Sequence, residues 1–302
     1  MAALRLSNGD GNVLPQYQSG AGFGIPVITD AEFARFRALI LEQTGIHLKD
    51  NKRHLLVARL ARHLRDLGLA TFSDYYEYLG RDQSGNELRT LTNRITTNKT
   101  SFFREAHHFE FLRTHVIPEA RNRDERRLRI WSAGCSSGEE PYSIAITVRE
   151  ALGSLHGWDV RILASDIDTE VLARAQAATY PMESVAGISA ERLHAHFLRG
   201  FGQYEGQAQV RPELRQMIEF QRINLSERAW NVPAGFDAIF CRNVIIYFER
   251  SLQRQIVEGL AGRLRPRGYL FLGHSENLYW LGNPLVSVGP TAYQLHDGGS
   301  RQ

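Results

Sequence analysis

Residues 128–148 read LRIWSAGCSSGEEPYSIAITV, and few folds accommodate such a stretch. A short apolar run (Leu128, Ile130, Trp131) stops at small residues, and an apolar helical pattern starts after Pro141. That is a strand, a tight glycine-bearing turn and a helix, the opening unit of an α/β sheet that binds a nucleotide or cofactor. Gly134 and Gly138 let the backbone come close to a ligand because neither carries a Cβ. Pro141 suits a first helical turn, where its missing N–H is no loss.

Glu139 and Glu140 stand where a phosphate-binding loop would offer Lys, Ser or bare N–H groups. Acids are favoured at any helix N-terminus, so one carboxylate there has an ordinary explanation. Two of them would repel a pyrophosphate but attract an amino group or a sulfonium, and S-adenosylmethionine carries both. A further acid closes the next expected strand, VRILASDID (160–168). Asp166 follows Gly138 by 28 residues, somewhat beyond the roughly 20 of a dinucleotide fold. At a strand end its carboxylate can accept from both hydroxyls of a ribose. Asp168 is placed to cap the helix expected from residue 169 to 178.

The stretches WSAGCSSGEEPYSIAI, ASDIDTEVLARA, FDAIFCRNVIIYF and GHSEN together resemble the bacterial chemotaxis-receptor glutamate O-methyltransferases, in the same order from about residue 28 to 295. The resemblance implies a doubly wound class I methyltransferase sheet with a small antiparallel β insert, preceded by a small all-helical N-terminal domain. It implies S-adenosyl-L-methionine as cofactor and methyl esters of receptor glutamates as product. It also places Asn98, Thr100 and Arg104 on the cofactor and substrate side, and Asn224, Leu225, Asn243 and Val244 at the adenosine pocket. A guanidinium at Arg104 can fork onto a carboxylate. Tyr247, just past Asn243, is a candidate for the methyl-transfer channel. His274, Ser275 and Glu276 match the GHSEN signature without an evident chemical role.

The rest of the chain divides accordingly. Residues 1–25, rich in Gly, Ser, Gln and Asn, predict a disordered tail. Residues 26–95 predict a helical domain, opened by a Thr29–Glu32 capping box and a helix ending at Gly45. A second helix, about 51–67, sets Leu56, Val57, Leu60, Leu64 and Leu67 on one face and Lys52, Arg59, Arg62, His63 and Arg65 on the other. A basic stripe is usually only solvated; the resemblance turns it toward the acidic methylation helices of a chemoreceptor. Two more helices, about 72–80 and 86–95, precede a linker and helix over 96–117. The cofactor-binding domain spans 118–302.

Within that domain a helix is expected at about 190–198 and a glycine-rich hairpin over 199–210, inside an insert at about 196–216. Gly200, Gly202 and Gly206 resemble the longer loop by which part of the family grips a receptor's C-terminal pentapeptide. Strands are expected at 217–225, 236–241 and 269–273, with a helix at 250–264. Asn224 and Asn243 then share a crevice with Glu140 and Asp166, because ligands sit beyond the carboxyl ends of strands.

A net charge of +3 over 302 residues implies no nucleic-acid partner, and two cysteines suit a reducing cytoplasm. No run is apolar enough to span a membrane or to act as a signal peptide. The expected location is cytoplasmic, with recruitment to receptor clusters. His107, His108 and His115 lack a metal-ligand spacing and are assigned to helix surface and packing. A substrate glutamate, with a pKa near ~4.3, is already ionised at neutral pH and needs no general base. Two other functions remain open at this stage. One is a nicotinamide-dependent oxidoreductase, disfavoured by the two acids and the lack of a GxGxxG turn. The other is a catalytically silent receptor adaptor.

Overall fold

The computed structural model describes residues 26–280 and 285–296; the expected tail over 1–25 lies outside them. Helix α1 (Asp30–Thr44) opens with the Thr29–Glu32 capping box in both directions and stops at Gly45, whose φ of 72° only glycine adopts readily. A 3-10 turn (Asp50–Lys52) leads into α2 (Arg53–Asp66). α3 (Phe72–Arg81) carries its own capping box, Thr71 with Asp74, and α4 (Asn86–Ile95) follows. Their apolar faces close one core around Phe36, Ile40, Leu56, Leu60, Leu64, Phe72, Tyr75 and Leu91. His63 belongs to that core and not to the outward stripe: its Nε2 meets Glu87 at 2.6 Å, beside the Tyr75 hydroxyl donating to the same oxygen. At 3.6 residues per turn, position 63 falls beside Leu56, seven residues earlier, at the margin of the buried face.

Next come α5 (His107–Phe111), a π-helical stretch (Leu112–Val116) and α6 (Ile117–Arg121), which run on into one another. The alternating part follows: β1 (Arg127–Ala133), α7 (Glu139–Leu152), β2 (Asp159–Asp166), α8 (Thr169–Ala177), β3 (Thr179–Pro181), α9 (Ala190–His196), β4 (Phe197–Arg199), β5 (Gln207–Val210), α10 (Pro212–Arg215), β6 (Ile218–Arg222), β7 (Phe236–Cys241), α11 (Arg250–Ala261), β8 (Leu264–Leu272), β9 (Leu285–Gly289) and β10 (Ala292–Leu295). The main sheet has the order β6-β2-β1-β7-β8-β10-β9. Its first five strands are parallel and β10 and β9 run antiparallel to their neighbours. Both faces are covered, so β7 is buried at all six positions and reads as a continuous run, FDAIFC. Ala238 and Phe240 pack with Ile130 and Phe271 on one face; Ile239 and Cys241 pack with Trp131 and Leu270 on the other. The one acid of that strand, Asp237, is neutralised by Arg123 and Arg265, each at 2.6 Å, and accepts the Arg129 N–H at 2.8 Å.

Three elements differ from expectation. β8 starts at Leu264, before Tyr269, through Arg265, Pro266 and Arg267, where no apolar alternation signals a strand. β9 and β10 form a closing hairpin whose exposed Val286 and Val288 do not stand out in the sequence. The insert is a three-stranded sheet, β3-β5-β4, so it recruits residues 179–181 as well as the 199–210 hairpin.

The helical part is bonded to the sheet part directly. Asn224 Nδ2 donates to the Gln43 carbonyl (2.9 Å), the His47 N–H to the Tyr247 carbonyl (2.9 Å), and Asn93 pairs with Thr169 through side chain and backbone. A Cβ on Gly45 would lie 2.6 Å from Ser226 Cβ, so glycine there lets the two parts touch. Among the described residues no helix is long and apolar enough to cross a membrane.

Candidate active site

β1 lies between β2 and β7, the point at which strand order reverses, and the crevice opens above it. The Gly134 and Cys135 N–H groups both donate to the Ser165 carbonyl (2.7 and 2.9 Å), pinning the end of β1 to the end of β2. Gly134 and Gly138 have φ of 89° and 99°. A Cβ on Gly134 would fall 2.4 Å from Val244 Cγ2, and one on Gly138 2.7 Å from the Tyr180 hydroxyl. The turn is thus wedged between the β7 loop and the insert, and Tyr180 donates to the Ser137 carbonyl at 2.8 Å.

Four carboxylates ring this turn. Asp166 accepts from the Ser136 N–H (2.8 Å) with one oxygen and from the Asp168 N–H (3.0 Å) with the other. Burial pushes its carboxyl up to about 6, and those N–H groups only partly offset it. Glu140 accepts from Ser132 Oγ (2.7 Å) and from Arg242 (3.0 Å); burial pushes it up while Arg242 pulls it down. Glu139, also raised by burial, bonds Ser137 Oγ at 2.7 Å. Burial opposes ionisation of Glu105 too, but His274 at 3.0 Å and Arg242 outweigh it and hold that carboxyl at about 2. Acids whose charge is retained by fixed donors suit a ligand with hydroxyls and a positive end.

The linker over 96–104 forms the opposite wall. Asn98 donates to Asp168 Oδ2 (2.7 Å), and its carbonyl accepts from Ser136 Oγ (2.9 Å), so this residue joins the linker to the turn. Thr100 is half-buried beside it. Arg104 bonds only the Lys99 carbonyl (3.0 Å) and has no acid partner among the described residues. Asn243 holds φ of 59°, with its amide against Gly273, while Val244 rests on Gly134. Leu225 is buried in the core under α11. Tyr247 ends a 3-10 turn (Ile245–Tyr247) and is half-buried.

The remaining expected site residues have partners within the protein or face solvent. The Asn224 amide donates to the Gln43 carbonyl and its oxygen accepts from Ser226, while its neighbour Ile223 donates to the Asp166 carbonyl at 3.0 Å, so it stands at the crevice with both ends of its amide engaged within the protein. Arg59 leaves the basic stripe: its guanidinium is half-buried against the Ile95 and Thr96 carbonyls and Thr97 Oγ1, bracing the start of the linker. Lys52, Arg62 and Arg65 are exposed, with Arg62 3.9 Å from Asp66. In the insert, Gly200 is the crowded glycine, since a Cβ there would lie 2.1 Å from the Tyr204 carbonyl oxygen. Gly202 and Gly206 face open space and are set by φ of 61° and 80°.

The sequence matches the CheR methyltransferase SAM-binding domain over residues 98–289 and the CheR methyltransferase all-alpha domain over 31–96. It is 46% identical over 269 residues to the chemotaxis protein methyltransferase of Salmonella typhimurium, covering 89% of this chain and 91% of the relative. The Escherichia coli protein of that name is 44% identical, with 89% and 92% covered. Chemotaxis protein methyltransferase 2 of Pseudomonas aeruginosa is 45% identical over 265 residues, with 88% and 93% covered. The chain belongs to the CheR methyltransferase family.

S-adenosylmethionine is therefore the cofactor of this CheR methyltransferase, and the crevice suits it. Each Asp166 oxygen accepts one backbone N–H and retains further acceptor capacity, and the carboxylates around the turn make the crevice acidic. Reasoning from the sequence gave no role to Arg242, Glu105 or Glu276, which the fold brings to this crevice. Glu276 of GHSEN accepts the Asn243 N–H (2.8 Å), the Gly273 N–H (2.6 Å) and the Ile246 N–H (3.3 Å). It thereby locks the β7 and β8 loops together. An acid between two strand ends was the available signal, but its partners are backbone groups that no motif spells out. Glu105, His107 and His108 bring possible ligand atoms within 4.8 Å of one another. Arg242, 3.4 Å from Glu105, opposes a cation there, and His108 packs on Phe271 while bonding Thr291 at 2.9 Å.

Because Asp166 protonates near 6 instead of near its ordinary value, cofactor binding should strengthen as pH rises through 6. Calorimetry should find affinity on the order of tenfold lower at pH 5 than at pH 7. Asp166→Ala should lose about 1–3 kcal/mol of binding at pH 7.5. Unchanged affinity in a folded variant would remove Asp166 from the cofactor site.

Proposed function

We propose that this chain moves the methyl group of S-adenosylmethionine onto glutamate carboxylates of chemoreceptors, giving methyl esters that tune sensory adaptation. The observation that carries the reading is Arg104. It is a guanidinium without an acid partner among the described residues, in the linker beside a crevice whose buried cation, Arg242, is already paired with Glu140 and Glu105. A substrate carboxylate is the complement it lacks. The names of the relatives support methylation in chemotaxis, and nothing in them supports a nicotinamide oxidoreductase or a silent adaptor.

Bound S-adenosylmethionine supplies an electrophilic methyl carbon on a sulfonium. The chain supplies position and dryness. Asp166 and Glu140 hold the cofactor, with Asn98, Thr100, Asn243 and Val244 walling it in and Leu225 packed beneath. Arg104 aligns the incoming carboxylate, and Tyr247 lines the channel. No proton has to move at an ionised glutamate, so catalysis rests on alignment and exclusion of water. The crevice is in keeping with that. Burial pushes the Cys135 and Cys241 thiols well up, and burial with Arg242 lowers His108 to about 3, leaving it neutral.

Substrate contacts extend to the exposed Lys52, Arg62 and Arg65 of α2, which suit acidic methylation helices. The insert offers a second contact, with Gly200, Gly202 and Gly206 shaping its loop. Its edge strand β4 can accept a receptor's C-terminal pentapeptide as an added strand. Phe201 and Tyr204 stand exposed beside it. The enzyme would work in the cytoplasm, gathered at receptor clusters.

Tritiated methyl transfer to receptor-enriched membranes should give base-labile label, as esters do; base-stable label would sink the ester assignment. Arg104→Lys should fold and bind cofactor yet lose about 1.5–3 kcal/mol of transition-state stabilisation, since an ammonium cannot fork. Wild-type turnover in that variant would leave Arg104 a structural residue. Titration of receptor C-terminal pentapeptides should show binding on the order of micromolar, which raises the effective concentration of neighbouring sites toward roughly millimolar. No binding at millimolar peptide would mean that the enzyme works untethered.

A further inference from the structure

Arg242 follows β7 at the floor of the crevice and is buried. Its guanidinium reaches two other segments at once. It contacts Glu140 Oε2 at 3.0 Å in the first turn of α7 and Glu105 Oε2 at 3.4 Å in the linker, and it donates to the Arg104 backbone carbonyl. Its flat face lies over the Phe109 ring, 5.6 Å from the centroid. The linker is bent sharply at this point. Phe103 and Glu105, on either side of Arg104, have φ of 52° and 56°, left-handed backbone that side chains with a Cβ avoid unless their surroundings dictate it. Those surroundings are the Phe103 N–H on Ser143 Oγ (2.9 Å), Glu105 on His274, and Arg242 beneath.

We propose that Arg242 is a positioning residue for methyl transfer, one buried guanidinium that keeps Glu140 anionic toward the cofactor and holds the bent Arg104 turn in place. The inference rests on Glu140 being a cofactor carboxylate. Around Glu140 stand Glu105 from the linker, Asp166 from β2 across Cys135, its neighbour Glu139, and Glu276 beyond Cys241. All of these are acids, and among the described residues Arg242 is the one cation within ion-pair distance of Glu140. A buried carboxylate ringed by acids takes up a proton unless a cation touches it. Arg242 pulls against that uptake and, by sharing itself with Glu105 and the Arg104 carbonyl, ties the charge of the cofactor site to the geometry of the substrate arginine.

The test is calorimetry of S-adenosylmethionine binding from pH 6 to 9 without receptor, together with kcat and KM on receptor membranes. Wild type, Arg242→Gln, Arg242→Lys and Glu140→Gln are compared, each checked for folding by circular dichroism. Wild type should show an acid limb near pH 6, to which Asp166 contributes, and little change above pH 7. Arg242→Gln should bind about tenfold more weakly at pH 7 and recover most of that by pH 9, because the lost cation lets Glu140 hold its proton to higher pH. Arg242→Lys should restore the wild-type limb but leave kcat down about tenfold, since one ammonium cannot serve Glu140 and the Arg104 carbonyl together. Arg242→Gln binding that is unchanged, or weaker by one factor at every pH, overturns the proposal. So does wild-type kcat in Arg242→Lys, which decides the matter alone if the Gln variant does not fold. Unchanged cofactor affinity in Glu140→Gln would instead sink the assignment of Glu140 itself.

Discussion

One carboxylate makes the site two-sided. With Oδ1, Asp168 caps α8 by accepting the Glu170 and Val171 N–H groups (2.9 and 3.2 Å). With Oδ2 it accepts from Thr96 Oγ1 and Asn98 Nδ2, both at 2.7 Å. The positive end of a helix and the start of a polar linker therefore share one buried acid. Without that joint the linker would have no reason to lie against the glycine turn. Arg104, a few residues on, would then not be held over the ends of the strands. Asn93 on Thr169 and Asn224 on Gln43 repeat the joint on either side.

The crevice gathers buried acids, and each is made tolerable differently. Asp166 and Glu276 rest on backbone N–H groups supplied by strand-end loops. Glu140 rests on the Arg242 cation, and Glu105 on His274 and Arg242 together. Backbone donors fix position as firmly as any side chain, which is why Asn243 and Ser136 can sit at positive φ next to them. A preformed pocket of this kind spends little on reorganisation when a cofactor enters.

Much of this was legible in the sequence, because the strand–turn–helix at 128–148 is local. Glycines, a helix start and an acid at the next strand end mark it without knowledge of the fold. The capping boxes and the apolar faces of α1 to α4 were legible for the same reason. What could not be seen depends on long-range contact. Arg59 looks like one more charge on a basic stripe until the fold brings the Ile95 and Thr96 carbonyls to it. Asn224 sits at a strand end, where ligands bind, yet the helical part reaches its amide first. Arg242 lies inside the motif FDAIFCRNVIIYF, but nothing local says what it touches; its partners Glu140 and Glu105 lie more than a hundred residues before it. β9 lacked a signal because Val286, Ser287 and Val288 are exposed in succession, and β10 because its four residues do not alternate between buried and exposed.

If the linker and the glycine turn form one cofactor site joined through Asp168, a bound ligand must quieten both. Hydrogen–deuterium exchange with and without S-adenosylhomocysteine reads this out. The amides of 98–105 should slow on binding together with those of 134–138 and 242–247. Protection at 134–138 alone, with the linker exchanging as before, would contradict it.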